Sequence, residues 1–227
     1  MRFPTIISLG GSLVAPNGVD TDFISQFRIL LTERIKDGER FIVFVGGGKV
    51  CRQYQEAARR LGADKPEAQD WVGIYATRLN AELVRVVLGE LAHGEIITDP
   101  SAFQTSSAPI AIGAGWKPGW STDFVAVEMA DKSGAKRIVN LSNIDFVYDK
   151  DPKEFPDARK IEKISWADFR KILPNKWMPG VNAPFDPVAA KRADELGLEV
   201  AIINGNHLDN FKNYLDGKEF VGTTIRS

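Results

Sequence analysis

The sequence predicts a three-layer α/β/α sandwich with a largely parallel central sheet. Short apolar runs alternate along the chain with stretches in which apolar residues recur every three or four positions, as strands alternate with amphipathic helices. The run Phe41–Val45 contains no polar residue, which is typical of a strand covered on both faces of its sheet. Strands joined through helices run in the same direction, so the sheet should be mostly parallel. No linker divides residues 1–227, so we expect one domain.

Apolar runs bounded by turn residues define the strands. The sequence predicts them over 5–9, 41–45, 95–98, 109–112, 137–141, 199–204 and 220–225. A polar loop with two aromatic residues, 142–152, follows the fifth of these runs. A short helix is expected between the last two strands.

Apolar spacing and helix-ending glycines define the helices between these strands. The spacing predicts a helix with Ile24, Phe27, Leu31 and Ile35 before Gly38; one with Tyr54, Ala58 and Leu61 on one side before Gly62; one over 69–91 with Ile74, Leu79, Leu83, Val86 and Val87 inward; and one over 122–132 with Val125, Ala126 and Met129 inward. Ser165 and Asp168 form a capping box. Asp186 and Pro187 suit an N-cap and first helical position, and Gly197 can end that helix. The segment 174–184, rich in Pro, Asn and Gly, is expected to be mobile.

Composition and charge exclude several classes of protein. The 227 residues carry 29 Lys plus Arg against 30 Asp plus Glu, a net charge of −1, which lacks the basic footprint of a nucleic-acid-binding protein. Cys51 is the only cysteine, so no intramolecular disulfide can form and a cysteine-based zinc site is not expected. The first apolar run is too short for a signal peptide, and no run approaches a membrane span. We therefore expect a cytoplasmic protein.

Three glycine-rich turns follow predicted strands, and they point to phosphate binding. They are Gly10-Gly11-Ser12, Gly46-Gly47-Gly48-Lys49 and Pro118-Gly119-Trp120-Ser121-Thr122-Asp123. A strand that ends in glycines and opens into a helix presents unpaired N–H groups and the positive end of the helix dipole to an anion. Three such turns suggest a nucleotide together with a phosphorylated acceptor. The P-loop, dinucleotide-binding and protein-kinase motifs are absent, and His93 and His207 lie outside the turns.

The order of these and other blocks resembles the amino acid kinase family, and within it the archaeal type of uridylate (UMP) kinases. The blocks are Leu9-Gly10-Gly11-Ser12, Gly46-Gly47-Gly48-Lys49-x-x-Arg52-x-Tyr54, Asp70-x-x-Gly73-Ile74-x-x-Thr77-Arg78-x-Asn80-Ala81, Pro118-Gly119-x-Ser121-Thr122-Asp123, Asn143-x-Asp145-x-x-Tyr148-x-x-Asp151-Pro152 and Asp186-Pro187-x-Ala189-Ala190-Lys191. The resemblance covers nearly the whole chain, ending with Gly222-Thr223-Thr224-Ile225.

The resemblance implies transfer of the γ-phosphoryl group of ATP to UMP with Mg²⁺, in a homo-oligomer that is a hexamer in the UMP kinases. The implied catalytic residues are Gly11, Ser12, Arg52 and Asp186. The implied ATP-binding residues are Gly11, Ser12, Gly48, Arg52, Ser142, Asn143, Tyr148 and Asp151. The implied UMP-binding residues are Gly47, Asp70, Trp116, Lys117, Pro118, Gly119, Trp120, Ser121 and Thr122. No residue is assigned as a metal ligand.

Specific roles follow from the same resemblance. Asp70 would accept hydrogen bonds from the UMP ribose, and Asp186 would organise the catalytic groups through glycine N–H groups and a lysine. Arg52, one turn into its helix, has the chemistry to stabilise the charge of the transferring group. A plainer interpretation stands beside each: a helix cap for either aspartate and a solvated helix residue for Arg52.

Two departures from the family pattern keep other functions open. Ser8 stands where many members carry a lysine, so Lys49, Arg52 or Lys191 would have to neutralise the transferring phosphoryl group. Phe146 replaces a glycine of the adenine-binding loop. One alternative is a kinase of the same family for another acceptor, such as isopentenyl phosphate, carbamate or an N-acylated amino acid. The other is a non-catalytic nucleotide-binding or storage protein on the same fold.

Overall fold

The computed structural model describes residues 3–104, 107–173 and 183–227. In these ranges the strands are β1 (Thr5–Leu9), β2 (Phe41–Val45), β3 (Ile110–Gly113), β4 (Arg137–Ser142), β5 (Val147–Tyr148), β6 (Lys160–Ile161), β7 (Lys163–Ser165), β8 (Glu199–Asn204) and β9 (Thr223–Arg226). The helices are α1 (Gly11–Val14), α2 (Thr21–Lys36), α3 (Gly48–Arg60), α4 (Pro66–Leu88), α5 (Thr122–Ser133), α6 (Trp166–Ile172), α7 (Pro187–Glu195) and α8 (Leu208–Leu215), with 3₁₀ turns at Gly89–Leu91 and Pro100–Ala102.

Seven of the described strands form one sheet in the order β3-β2-β1-β4-β8-β9-β7. Neighbouring strands from β3 to β8 are parallel, whereas β9 is antiparallel to β8 and parallel to β7. The predicted largely parallel sheet is therefore confirmed. Because the strands from β3 to β8 share one direction, their carboxyl ends and the turns that follow them lie at one edge of the sheet.

Two apolar clusters cover the two faces of the sheet and confirm the three layers. Consecutive residues of β1 point to opposite faces, so Ile6 belongs to the cluster that α5, α6 and α7 complete, and Ile7 to the cluster that α2, α4 and α8 complete. Phe41–Val45 is buried at every position, as the unbroken apolar run predicts.

Several element boundaries differ from the sequence prediction. The strand predicted over 95–98 is wrong: Ile97 makes only an isolated bridge to Gly113. The helix predicted over 69–91 is α4, which begins earlier than predicted, at Pro66. The last turn of the predicted helix is the 3₁₀ segment Gly89–Leu91. The last strand starts three residues later than predicted, at Thr223, and the polar loop after β4 contains the two-residue strand β5. The segment predicted to be mobile lies largely outside the described residues, at 174–182.

The largest differences concern which apolar side chains face inward. On α4, Leu79 is 68% exposed and Val86 59% exposed, although both were predicted inward, whereas Ile74 is buried. Tyr54 on α3 and Leu61, the residue that follows the end of this helix, are also exposed. Polar Thr77 and Asn80 occupy the buried face of α4 instead, because that face contacts backbone carbonyls and N–H groups of neighbouring turns.

The predicted helix ends are confirmed. The Ser165 hydroxyl accepts a hydrogen bond from Asp168 N–H and donates one to its carboxylate, which starts α6. The Asp186 carboxylate accepts the N–H groups of Val188 and Ala189 and caps α7, with Pro187 in its first turn. Gly197, at φ +62°, follows the end of that helix.

Candidate active site

The first two glycine turns are in direct backbone contact at the carboxyl edge of β1 and β2. A Cβ atom on Gly11 would lie 2.3 Å from the Gly46 oxygen and 2.3 Å from the Gly48 nitrogen. Gly48 has φ +64°, and a Cβ there would lie 2.3 Å from the Gly11 oxygen. The Gly46 N–H bonds back to the Leu9 carbonyl at 2.8 Å. Only glycine fits both sides of this contact, so the turns form one backbone surface.

This backbone surface has the features of an anion site. Helix α3 begins at Gly48, and no side chain caps its N-terminus at Gly47. The short helix α1 begins at Gly11, again with no side-chain cap. N–H groups of first helical turns that no side chain caps are available to oxygen atoms of a ligand, and the dipole of the 13-residue helix α3 favours negative charge there.

The third glycine-rich turn is fixed by Asp70. Its Oδ2 accepts a hydrogen bond from the Gly119 N–H at 2.8 Å, and Gly119 adopts φ +85°. The Ser121 hydroxyl caps α5 by accepting the Phe124 N–H, so Thr122 is the first helical residue. Asp70 and the turn 118–122, which the resemblance implies for UMP binding, are thus brought together as one unit, the acceptor unit.

Aromatic side chains and a lysine flank this turn. Lys117 Nζ lies 4.1 Å from the centroid of the Trp116 ring and 5.3 Å from that of Trp120, within cation–π range of both. Trp120 also packs on Phe124, with ring centroids 3.9 Å apart. Both indoles are partly buried against the core on the α5 side of the sheet, so they have a packing role whatever else they contact.

Asp123 is a residue whose role the sequence reasoning missed, although it belongs to one of the blocks. Asp123 is half-buried, and its carboxylate accepts hydrogen bonds from Ser8 Oγ at 2.7 Å and Asn140 Nδ2 at 3.0 Å on Oδ1, and from the Asp186 N–H at 3.2 Å on Oδ2. Burial raises the pKa of Asp123 to about 6, and the nearby Asp186 carboxylate adds to the rise, while the three hydrogen bonds oppose it. The feature of the sequence that could have identified Asp123 is its position directly after Ser121 and Thr122, where α5 begins.

Asp186 lies beside Asp123 as the N-cap of α7. Burial raises the pKa of its carboxylate, against hydrogen bonds from the Ala189 N–H, the Ser121 hydroxyl and the Val188 N–H. Within the described ranges no glycine N–H and no lysine donates to this carboxylate, so the geometry gives its capping role, and Ser121 connects it to the acceptor turn.

The three candidate cations differ in their surroundings. Lys49 Nζ donates to Asn17 Oδ1 at 2.5 Å, and Lys191 is exposed on α7, 4.0 Å from Glu195. Arg52 makes no hydrogen bond or ion pair with the residues described in 3–104, 107–173 and 183–227. Burial raises the pKa of the Cys51 thiol. The positive charge of Arg52 opposes this rise in the pKa, and the negative charge of Asp70 adds to it. Arg52 and Asp70 therefore both lie within electrostatic range of this thiol.

The predicted adenine-side residues are only partly brought together. Ser142 ends β4 beside the first glycine turn, since the Gly10 N–H bonds to the Leu141 carbonyl and a Cβ on Gly10 would lie 3.6 Å from the Ser142 Cα. Asn143 is exposed in the same loop. Tyr148 lies in the small hairpin of β5 and β6, and Asp151 accepts the Lys153 N–H of its own turn. Phe146 is one of the two departures from the family pattern. Lys160 Nζ lies 4.8 Å from the centroid of its ring.

Within the residues that the structure describes, no cluster of three or more His, Cys, Asp or Glu side chains is arranged to hold a metal ion. None of the helices in the described ranges combines the length and the apolar character needed to cross a bilayer.

The sequence and the fold are similar to those of known proteins. The model of the amino acid kinase family matches residues 4–204. The uridylate kinase of Methanospirillum hungatei is 34% identical over 226 residues, which cover 98% of this chain and 94% of that relative. The uridylate kinase of Pyrococcus abyssi is 34% identical, covering 97% and 98% respectively. The crystal structure of uridylate kinase from Archaeoglobus fulgidus superposes with a TM-score of 0.84 at 30% identity, covering 98% of this chain and 99% of the other. The chain belongs to the amino acid kinase family.

Proposed function

We propose that this protein is a UMP kinase, which transfers the γ-phosphoryl group of MgATP to UMP and releases UDP and ADP. The observation that carries the proposal is the contact between Gly11 and Gly46–Gly48 beside an acceptor turn that Asp70 anchors. One backbone surface can receive the transferred group while an adjacent turn holds the acceptor. The similar uridylate kinases support the same acceptor over nearly the full chain.

In this mechanism a phosphate oxygen of UMP attacks the γ-phosphorus in line, and the bond from that phosphorus to the β,γ-bridging oxygen breaks. Charge spreads over the transferring oxygens, so catalysis is mainly positioning and neutralisation. The N–H groups of Gly11 and Ser12 bind the β- and γ-phosphates of ATP, and those of Gly47 and Gly48 lie between donor and acceptor. Arg52 supplies the mobile positive charge, because Ser8 supplies none.

Magnesium enters this reaction as part of the MgATP substrate. Both Asp123 oxygens are engaged by hydrogen bonds, and Asp186 caps α7. The two carboxylates therefore do not form a ready cage for the ion, which fits the preference of Mg²⁺ for substrate phosphates and water. Bound to the phosphates, the ion neutralises part of their charge.

For the acceptor, Asp70 offers its carboxylate to the ribose hydroxyls, with Oδ1 as the oxygen not engaged by Gly119. The residues 118–122 hold the UMP phosphate and uracil, with Thr122 at the N-terminus of α5. Trp116, Lys117 and Trp120 border the base. Ser142, Asn143, Tyr148 and Asp151 bind adenosine on the donor side, and residues 1–227 act as one domain.

We propose that the protein works as a homo-oligomer, a hexamer, assembled through α4. Trp71, Tyr75 and Leu79 lie four residues apart along this helix and form an exposed apolar stripe that continues to Val86. An exposed apolar stripe of this length marks an interaction surface. We assign this surface to a second copy of the chain, because other copies are present in every solution of the protein.

The test is coupled ADP release with MgATP across UMP, CMP, dUMP, isopentenyl phosphate and carbamate. Selective turnover of UMP is the expected result. Turnover of another compound in the panel would show that UMP is not the acceptor, while the proposed phosphoryl transfer from ATP would stand. Absence of any turnover in a preparation that binds ATP tightly would overturn the enzyme proposal in favour of a nucleotide-binding protein.

A further inference from the structure

Helix α4 carries two buried polar residues, Thr77 and Asn80, that hydrogen-bond to different turns of the site. Asn80 Nδ2 donates to the Gly46 carbonyl at 2.9 Å and to the Gly47 carbonyl at 3.3 Å. Thr77 Oγ1 accepts the Gly115 N–H at 2.8 Å. Asn80 is 6% exposed and Thr77 is 7% exposed, so water does not readily replace their hydrogen bonds. Polar residues are held in such positions by their partners, here the backbone of the second glycine turn and of the chain that leads into the third.

The Asn80 bonds fix the direction of two peptide groups. In a planar trans peptide the carbonyl and the following N–H point in opposite directions. Since Asn80 holds the carbonyls of Gly46 and Gly47 toward α4, the N–H groups of Gly47 and Gly48 point away from the helix. The Gly47 carbonyl also accepts the Cys51 N–H at 3.2 Å, as the first bond of α3, so Asn80 and that helix together hold the Gly47–Gly48 peptide. Within the described residues Asn80 is the hydrogen-bond donor to the Gly46 carbonyl, so this side chain orients the Gly47 N–H that the phosphoryl group would meet.

The Thr77 bond fixes the chain that leads into the acceptor turn. Gly115 lies two residues beyond β3, and a Cβ there would lie 2.9 Å from Thr77 Oγ1, so helix and chain are in close contact. The Thr77 hydroxyl also donates to the Ile74 carbonyl at 2.6 Å, which fixes its rotamer. The methyl group of Thr77 would lie 3.5 Å from a Cβ on Gly47, so the same side chain borders both turns.

We propose that Asn80 and Thr77 are positioning residues that set the distance and alignment between the transferred phosphoryl group and its acceptor. Asn80 acts through Gly46 and Gly47 on the donor side, and Thr77 acts through Gly115 on the acceptor side. They lie three positions apart on one helix, so the separation between the two turns is set by one rigid element. The inference rests on the proposed phosphoryl transfer, for which a misplacement of about 1 Å costs on the order of 10²-fold in rate.

The first test separates alignment from binding with steady-state kinetics. Asn80→Asp keeps the shape but faces the two carbonyls with an oxygen that cannot donate while ionised. We expect kcat to fall about 10²-fold, with both KM values within about threefold of wild type. Asn213→Asp on α8, whose side chain makes no hydrogen bond within the described part of the chain, is the matched control and should leave kcat unchanged. A folded Asn80→Asp with kcat within about threefold of wild type would overturn the assignment.

The second test uses Thr77, where conservative variants exist. Thr77→Val keeps the methyl group and loses the hydroxyl, so kcat should fall about tenfold and KM for UMP should rise while KM for ATP stays constant. Thr77→Ser keeps the hydroxyl and should restore wild-type kinetics. A merely structural role would lower the melting temperature of both variants and leave the rate per titrated active site unchanged, which would refute the proposal.

A readout independent of turnover distinguishes this inference from the proposed function. In wild-type protein, a non-hydrolysable MgATP analogue should shift the amide resonances of Gly47 and Gly48. In a folded Asn80→Ala variant those shifts should shrink at saturating analogue. If wild type phosphorylates no acceptor yet shows these shifts and their loss, the positioning role stands and the UMP kinase proposal fails. Equal shifts in both proteins would reject the positioning role alone.

Discussion

The hydroxyl of Ser8 donates a 2.7 Å hydrogen bond to the carboxylate of Asp123. Ser8 stands where many members of the family carry a lysine, so a neutral donor lies beside this carboxylate in place of a cation. A cation there would lower the pKa of Asp123, whereas the neutral hydroxyl leaves the effect of burial dominant. The positive charge for phosphoryl transfer must therefore come from another element, and Arg52 on α3 is free of ion pairs within the described residues.

Removing the Ser8 hydroxyl should destabilise the protein most where Asp123 is ionised. We expect Ser8→Ala to lower the free energy of unfolding by about 1.5–3 kcal/mol at pH 8, the range for a hydrogen bond to a charged group, and by less at pH 5. Urea unfolding at both pH values measures this. Ser133→Ala is the control, since that hydroxyl donates to the neutral Met129 carbonyl and its loss should not depend on pH. An equal loss for Ser8→Ala at both pH values would contradict an ionised Asp123.

Asp123 should make the folded protein less stable as the pH rises through 6. Its pKa is about 6 in the folded state, against 3.8 for an aspartate in the unfolded chain, so between these pH values the folded state binds more protons than the unfolded state. The contribution of Asp123 to the free energy of unfolding is fully present below pH 3.8 and is lost as the pH rises through about 6. At 1.36 kcal/mol per pH unit, about 1.4 kcal/mol of that loss falls between pH 5 and 8.

The Asp123→Asn variant isolates this effect. The difference in free energy of unfolding between wild type and variant should shrink by that amount from pH 5 to pH 8, measured without nucleotide. An activity profile is the poorer measurement, because phosphate monoesters also titrate near pH 6. A difference that stays constant with pH would mean that the Asp123 pKa lies outside this window.

The contact between the first two glycine turns should not tolerate a side chain. Gly48→Ala places a Cβ 2.3 Å from the Gly11 oxygen, so the turns must separate, and kcat/KM should fall on the order of 10²-fold. Gly62→Ala is the matched control, since Gly62 also has positive φ, at +88°, but meets nothing within 4 Å. Both variants carry the backbone strain, so only their difference in activity reports the contact. Equal activities would mean that the contact is unimportant for the reaction.

Arg52 should be required for the chemical step. Arg52→Ala should lower kcat on the order of 10²–10³-fold, the cost of removing one stabilising donor from a transition-state charge. Arg52→Lys should be intermediate, because a point charge replaces a planar fork. Arg60→Ala, on the same helix and paired with Glu56, is the control expected to retain activity. Full activity of Arg52→Ala would assign charge neutralisation to another cation.

The exposed stripe on α4 should govern assembly. Val86→Glu should shift the protein to smaller species in light scattering coupled to gel filtration, because a buried charge opposes association. Val221→Glu changes a similarly exposed valine outside the stripe and should leave the mass unchanged. If the mass changes with Val221 and not with Val86, the copies associate through a different surface.

Sequence patterns alone were enough to predict the layers of the fold and the positions of the three glycine-rich turns. Apolar runs and periodicity show which elements have an apolar face, and a glycine such as Gly48 indicates a backbone conformation that other residues avoid. The caps at Ser165 and Asp186 were also readable, since a cap and its partners lie within one turn of each other.

The pairing of polar residues depends on the packing of elements that are distant in the sequence. Ser8 and Asp123 are 115 positions apart, and Asn80 reaches Gly46 across 34. No local pattern encodes such pairs, because they depend on how separate elements pack. The same reason explains Leu79 and Val86: periodicity shows that a helix has an apolar face but not whether this chain or another copy covers it.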